Sequence, residues 1–432
     1  MDYRKARVYL DEMAKYGSVL GLDNMKEMLR RLGNPQDELR FIHISGTNGK
    51  GSVLAYLSTI LKEAGYLVGR YISPTLFAYR ERIQVNEEYI EKEPLARLTG
   101  RIAEAVESMV LEGLPHPTAF EIETALGFLY FRESQCDVVV LETGLGGLED
   151  ATNVVQTTIL EVITSISMDH MGFLGSTLSE IAANKAGIIK PHTTVVSVKQ
   201  KTEAMRVIER TCKEKNCTLR TASADEATDI VFGYESQRFS YKGDSGFEIS
   251  LAGSCQIENA VLAVEAVKGL RSLGYEISDA QLRNGLKKTK WKGRFSVIAK
   301  EPLFIIDGAH NREAAEVLVK SIEMYFTNRR IFYIMGVFRD KEYEEIVKKT
   351  VPLASHIITI QTPGNDRALP AEELTRVVKK YNRSVETAEN IEDAVQKSLY
   401  RANKEDVIIA FGSLSFLGEI TRAVTMVRST EL

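Results

Sequence analysis

The sequence predicts an α/β protein of two domains. The larger N-terminal domain has a mostly parallel sheet plus a small antiparallel hairpin, and the smaller C-terminal domain is a doubly wound α/β unit. Three observations carry this. From residue 40 to about 198, short apolar runs alternate with helical patterns, as in a parallel sheet covered by helices on both faces. The same alternation restarts near residue 299. A Gly-rich turn, Gly46-Thr47-Asn48-Gly49-Lys50-Gly51-Ser52, joins an early strand to a helix. The domains expected are 1–290 and 299–432, with a linker at 291–298.

In the first unit the strands fall at 41–44, 67–72, 138–141, 159–166 and 194–198. Each is apolar almost throughout, as a strand buried on both faces must be. Residues 234–252 alternate and carry Gly turns, which predicts the hairpin. Residues 256–273 and 278–288 have helical periodicity. The polar stretch Lys288-Thr289-Lys290-Trp291-Lys292-Gly293-Arg294 makes the join. The second unit has strands at 303–306, 331–335, 356–360, 384–387 and 407–410, and helices at 312–325, 341–353, 371–381, 391–402 and 415–428. Its strands end in polar or Gly-containing turns, among them Asp307-Gly308-Ala309-His310-Asn311 and Gly412-Ser413. Ligands of open α/β sheets sit at such carboxyl ends, so two units facing each other make a cleft for a two-substrate reaction.

The Gly-rich turn has the form of a phosphate cradle. Phe41-Ile42-His43-Ile44 precedes it and an apolar helical pattern follows. Backbone N–H groups and the helix N-terminus attract phosphate, and Lys50 neutralises it. The usual phosphate loop has four residues between its first Gly and Gly-Lys-Ser/Thr. Here two separate Gly46 from Gly49, and Gly51 stands before Ser52. The larger domain is therefore of a variant P-loop ATPase type.

Composition narrows the partners. The chain has 432 residues, 44% apolar and 26% charged, with net charge −4. That balance argues against nucleic acid or an acidic membrane as the main partner. Anionic substrates need local cations, for which Lys50, Arg82 and Arg294 are candidates. Four Cys (Cys136, Cys212, Cys217, Cys255) show no tight metal spacing, which fits a reduced, cytoplasmic chain. The N-terminus leads into an amphipathic segment without signal-peptide character. No apolar run approaches the roughly 18 residues of a membrane span.

Other chemistry-bearing residues stand at strand ends. Glu142 ends 138–141 and precedes Thr143-Gly144-Leu145-Gly146-Gly147, where a Mg²⁺ ligand or a turn-capping carboxylate belongs. His170 ends another run, as ligand, base or hydrogen-bonded surface group. Ser73 reaches a metal or caps a turn. Lys185 lies on a short helix, where most lysines are solvated. Arg82 sits in Tyr79-Arg80-Glu81-Arg82-Ile83, where a weak surface salt bridge is the plain alternative.

These motifs follow one another in a single register. The phosphate loop, Ser73-Pro74, Glu81-Arg82-Ile83, Glu142, Asp150-Ala151-Thr152-Asn153, Asp169-His170, Lys185-Ala186-Gly187-Ile188-Ile189-Lys190-Pro191, Gln256 with Asn259, Gly293-Arg294 and Asp307-Gly308-Ala309-His310-Asn311 occur in that order. The chain resembles folylpolyglutamate synthases, in many bacteria bifunctional with dihydrofolate synthase, of the Mur-type ATP-dependent amide ligases. The resemblance runs from Tyr16-Gly17-Ser18 to Gly412-Ser413-Leu414. The phosphate loop indicates the superfamily, and the Asp-Ala-Thr-Asn and Lys-Ala-Gly-Ile-Ile-Lys-Pro runs indicate the folate branch.

The resemblance implies an ATP-dependent ligase that joins L-glutamate to folate, and to dihydropteroate, through an acyl phosphate. Gly46 to Ser52 would cradle ATP. Ser73, Glu142 and His170 would hold two Mg²⁺ ions, with Lys185, commonly carbamylated in the family, beside them. Lys50, Arg82, His170 and Lys185 form the catalytic set. Asn259, Arg294 and Asp307 would position the nucleotide. Arg82, Phe120, Asp150, His310 and Ser413 would face the folate and glutamate substrates. The family is often monomeric.

The chain departs from the family pattern at four places. Leu148-Glu149 stands where Gly-Gly-Arg continues, Asn184 where a Glu precedes the lysine, Cys255 where a His precedes Gln256, and Thr75 where a His follows Ser-Pro. Three other readings stay open: a Mur-type ligase with another carboxylate acceptor, an inactive nucleotide-binding homologue, and a plain P-loop ATPase.

Overall fold

A computed structural model describes residues 1–17, 19 and 21–430. Ser18, one end of the family resemblance, lies outside the described residues. The first sheet takes eight strands: β1 (Phe41–Ser45), β2 (Val68–Tyr71), β3 (Ile83–Val85), β4 (Glu88–Tyr89), β5 (Val138–Glu142), β6 (Thr158–Ile163), β7 (Thr194–Val198) and β8 (Thr218–Ala222). Their order is β4-β3-β2-β5-β1-β6-β7-β8. From β2 to β8 neighbours run parallel, and β3 and β4 add an antiparallel edge. β1 lies at the centre, so the turn after it opens at the middle of the sheet's carboxyl edge.

Helices cover both faces because β1 and β5 are buried throughout and mostly apolar. On one face Lys50–Glu63, Gln256–Ser272 and Asp279–Lys288 bury residues such as Val53, Leu57, Val261 and Leu286 against Ile42, Ile44 and Val140. On the other, Ala119–Glu133 and Lys92–Leu111 pack Phe128, Leu129 and Ile102 on Phe41, Val139 and Leu141. The amphipathic N-terminus is the helix Tyr3–Glu12, capped by Asp2, which accepts from Lys5 N at 2.8 Å. Ala6 and Leu10 seat it on the second face.

The expected hairpin is part of a three-stranded antiparallel sheet, β9 (Ala227–Val231), β10 (Gln237–Tyr241) and β11 (Asp244–Ile249), in the order β11-β10-β9. β10 and β11 face the core with Phe239, Tyr241, Phe247 and Ile249, which makes their alternation readable. β9 is mostly exposed, so burial imposes no pattern on it.

The second sheet has strands β12 (Ser296–Lys300), β13 (Leu303–Ile306), β14 (Ile331–Met335), β15 (His356–Thr359), β16 (Val385–Thr387) and β17 (Val407–Phe411), in the order β12-β13-β17-β14-β15-β16. All pairs are parallel except β12 with β13. Residues 296–298, read from sequence as linker, belong to β12, and Ser296 and Val297 pair with β13. Helices lie on both of its faces, with Leu318, Ile346 and Leu374 on one and Val395, Ile420 and Val424 on the other. The doubly wound expectation therefore holds, with one antiparallel edge added.

Candidate active site

The turn after β1 is shaped by close backbone approaches. Gly46 has φ 151 and lies against Thr164; Gly49 has φ 92, and a Cβ there would stand 2.6 Å from Asn259 Oδ1. Both conformations favour glycine. Thr47 N donates to Ser165 O at 2.7 Å, and Val53 N to Gly49 O at 3.0 Å. The helix Lys50–Glu63 starts at once, with its free N–H groups facing the turn.

Two lysines meet at this turn. Lys50 Nζ donates to Gly46 O at 3.1 Å and Thr47 O at 3.3 Å. Lys185, buried on the helix Leu178–Ala186, donates to the same Gly46 O at 2.8 Å. Burial and the neighbouring Lys50 pull the Lys185 amine down to about 7. Burial also lowers the Lys50 amine, against the pull of Glu142. Lys185 is thus far from the solvated surface group that its sequence context also allowed.

Glu142 ends β5 and is buried. Burial raises its carboxyl, opposed by Lys50 and Arg294, and Ser73 N donates to its Oε2 at 3.5 Å. His170 opens the short helix Met171–Leu174 from a left-handed backbone, φ 51. Its side chain is 39% exposed. Burial lowers its imidazole, with Asp169 pulling the other way. Among the described residues no three His, Cys, Asp or Glu side chains gather closely enough to hold a metal by themselves. Of the three residues expected at a metal, Ser73 reaches Glu142 through its backbone N–H, and a buried carboxylate of this kind suits Mg²⁺, which takes few protein ligands and completes its shell with water and phosphate oxygens.

Asn259 lies on Gln256–Ser272, where its Nδ2 donates to Gln256 Oε1 at 3.1 Å. Gln256 Nε2 donates in turn to Ser52 Oγ at 3.3 Å. Across the gap, Asp307 follows β13. Its carboxylate accepts from Phe295 N at 2.7 Å and Ala309 N at 2.8 Å, and burial raises its carboxyl against the pull of Arg294. Asn48, Gly49, Ser52, Asn259, Arg294, Asp307 and His310 together line a cavity of about 240 Å³ between the two halves. A larger groove of about 940 Å³ runs behind it, past Trp291 and Arg329, and of the predicted residues only Arg294 reaches it. The smaller cavity is lined by the phosphate loop at Asn48, Gly49 and Ser52 and is the candidate for the nucleotide.

The other predicted residues spread around this centre. Arg82 Nη1 and Glu123 Oε2 lie 3.2 Å apart, each side chain 12% exposed. This is a buried pair and replaces the surface bridge considered from sequence. The Phe120 ring covers Gly144, 2.5 Å from where a Cβ would stand. Asp150 accepts from Leu145 N at 2.7 Å, Thr152 N at 3.0 Å and Thr152 Oγ1 at 2.5 Å, so its carboxylate shapes the 144–152 loop. His310 Nδ1 donates to Gly308 O at 2.7 Å, and burial and Lys341 hold its imidazole down at about 4. Ser413 Oγ caps Leu414–Phe416 and meets Ser415 Oγ at 2.8 Å.

Contacts not foreseen from sequence, made by Lys341 and Glu313, bridge the halves. Lys341 Nζ donates to Asp169 Oδ1 at 2.8 Å, and Asn48 Nδ2 to Glu313 Oε2 at 2.7 Å. A lysine among other charges after β14 carries no pattern of its own. Asp169 shows only as the neighbour of His170.

A variant phosphate loop at mid-sheet, with two buried lysines on its Gly46 carbonyl, opens into a cavity shared with a second α/β sheet, the arrangement expected of a Mur-type ligase. The Mur ligase middle domain model matches residues 44–267, and the Mur ligase, glutamate ligase domain model matches residues 293–414. The dihydrofolate synthase/folylpolyglutamate synthase of Bacillus subtilis (strain 168) is 36% identical, covering 97% of this chain and 98% of its own. The Mycobacterium tuberculosis folylpolyglutamate synthase complexed with ADP and AMPPCP superposes with TM-score 0.88 at 27% identity, 99% of each chain covered. E. coli FolC in complex with DHPP and ADP superposes with TM-score 0.84 at 27% identity, covering 99% of this chain and 98% of that one. The chain belongs to the dihydrofolate synthase/folylpolyglutamate synthase family of Mur ligases.

Proposed function

We propose that the protein is an ATP-dependent acid–amino-acid ligase that joins L-glutamate to folates and to dihydropteroate. The observation that supports this best is the 240 Å³ cavity, where the phosphate loop and Asn259 face Arg294, Asp307 and His310 from the other half. A cleft closed by both halves is what a reaction between a nucleotide, a carboxylate and an amino acid requires.

In this reading the substrate carboxyl attacks the ATP γ-phosphate, giving an acyl phosphate and ADP. The glutamate amine attacks the acyl carbon, loses its proton, and phosphate leaves. Lys50 and the loop N–H groups neutralise the phosphates, and Arg294 and Asp307 orient the nucleotide. Arg82, Phe120 and Asp150 bound the pteroyl end. His310, neutral above about pH 4, and Ser413 orient the incoming glutamate. Ser73, Glu142 and His170 would hold Mg²⁺ at two sites, where it would supply charge neutralisation for the phosphates. A Lys185 amine lowered to about 7 has far more of the neutral form at physiological pH than an ordinary lysine, and that is the form that adds CO₂ to give a carbamate.

A monomeric, cytoplasmic protein without nucleic-acid or membrane partners fits the reading, and among the described residues no helix is long and apolar enough to cross a membrane. The test is ADP release from purified protein, Mg²⁺, ATP and L-glutamate, comparing 7,8-dihydropteroate with a reduced folate monoglutamate. Release with both is expected. Release with the folate alone restricts the protein to chain extension, and release with neither overturns the reading.

A further inference from the structure

One side-chain amide from the C-terminal half ties together two loops of the N-terminal half. Asn311 is buried and caps the helix Arg312–Tyr325, its Oδ1 accepting from Ala314 N at 2.9 Å. That bond fixes which end of the amide faces the other way. Its Nδ2 lies 3.2 Å from Asn48 Oδ1 and 3.0 Å from Asp169 Oδ2. An amide nitrogen has two hydrogens, and here each has its own acceptor.

The two acceptors belong to different loops. Asn48 is in the phosphate turn, and Asp169 directly precedes His170. The other oxygen of Asp169, Oδ1, accepts from His170 N at 2.8 Å and Lys341 Nζ at 2.8 Å. The Lys341 and Asp169 side chains are 10% and 9% exposed. The His170 turn is therefore held from the C-terminal half through Asp169, and the phosphate turn through Asn48, with Asn311 common to both.

We propose that Asn311 is a positioning residue: seating of the C-terminal half sets the phosphate turn and the His170 turn in register, with Glu313 also on Asn48 and Lys341 also on Asp169, and the Asn311 amide joining the two turns to each other. The consequence for catalysis rests on the ligase reading above. The clasp itself does not. A misplacement of about 1 Å at a reacting centre costs roughly 10²-fold in rate, so a clasp that spans two loops acts on turnover more than on ground-state binding.

Asn311→Asp tests it. The carboxylate keeps the size and the helix-cap acceptor but sets an acceptor against Asp169. Hydrogen exchange on the full-length protein should show faster exchange at 46–50 and 166–174 together. In the ligase assay kcat should fall roughly 10²-fold while KM for ATP moves less than about threefold. Adding Asp169→Asn restores a donor opposite an acceptor and should recover about tenfold of kcat. Lys341→Met should speed exchange at 166–174 alone, and it carries the test if Asn311→Asp does not fold. Faster exchange confined to 311–316, no recovery in the double variant, or Lys341→Met leaving 166–174 unchanged would overturn the clasp. Because exchange is read on the protein alone, it decides the clasp even if ligation fails.

Discussion

Lys50 and Lys185 converge on one acceptor, the Gly46 carbonyl, at 3.1 and 2.8 Å. Two ammonium groups cannot share a buried site without cost, and burial together with Lys50 brings the Lys185 amine down to about 7. Its unfolded value is near the ordinary 10.5. Between these values the unfolded chain binds the extra proton, so this group makes stability rise with pH from about 7 to about 10. Lys185→Met removes the term. In CO₂-free buffer, the stability gap of Lys185→Met over the parent should be widest below pH 7 and shrink toward pH 10, with ligation abolished. A gap independent of pH in urea unfolding would refute the lowered amine.

Lys50→Ala should abolish ligation and leave the fold intact, because among the described residues its ammonium bonds only to the two turn carbonyls. A loss of roughly 10²-fold or more is expected for removing a preorganised charge at the transferred phosphate. ADP release measured beside circular dichroism checks both halves of the statement. Normal turnover would remove Lys50 from the phosphates.

Glu142→Gln keeps the shape but not the charge of a buried carboxylate whose carboxyl is already raised by burial. Stability should be unchanged or slightly higher, since the charged form carries a desolvation cost. Ligation should fall by roughly 10² or more, and added Mg²⁺ should not restore it. Thermal unfolding and an ADP-release titration in Mg²⁺ read the two effects separately. Full activity at ordinary Mg²⁺ would exclude Glu142 as a ligand.

Much of this was legible in the sequence because burial writes itself into apolar runs. The strands 194–198, 303–306 and 331–335 coincide with β7, β13 and β14, whose flanks leave no doubt about polarity. The phosphate turn is legible because Gly46 and Gly49 answer local backbone demands. The expected strand 159–166 stops at Ile163, since 164–166 carry the bonds to the turn and to Gln200 rather than a ladder. β9 and β12 escaped notice as an exposed edge and a short antiparallel edge. The Asn48–Asn311–Asp169–Lys341 contacts are long-range pairings of common residue types. No local pattern announces those; only the meeting of the two sheets creates them.

The Arg82–Glu123 pair stands with both side chains 12% exposed. Burial raises the Glu123 carboxyl, and Arg82 counters it. Truncating one partner of such a pair leaves the other charge buried and alone, which costs about 3–5 kcal/mol. Glu123→Ala should lose stability on that scale in urea unfolding. A surface bridge would lose no more than about 1 kcal/mol, and such a value would place the pair in solvent.

Leu148 is 52% exposed on the loop that Asp150 shapes beside Phe120, at the position where the sequence resemblance leads one to expect an arginine. An exposed apolar side chain there contributes little to folding, so Leu148→Arg should change stability by less than about 0.5 kcal/mol. A cation added beside an anionic substrate strengthens ground-state binding, because an exposed charge pair acts before chemistry begins. KM for the folate substrate should fall, more for a polyglutamate than for a monoglutamate, with kcat nearly unchanged. The preference should weaken as ionic strength rises, since exposed pairs are screened within about 10 Å at 0.1 M salt. An equal KM for both chain lengths at low salt would place the glutamate tail away from residue 148.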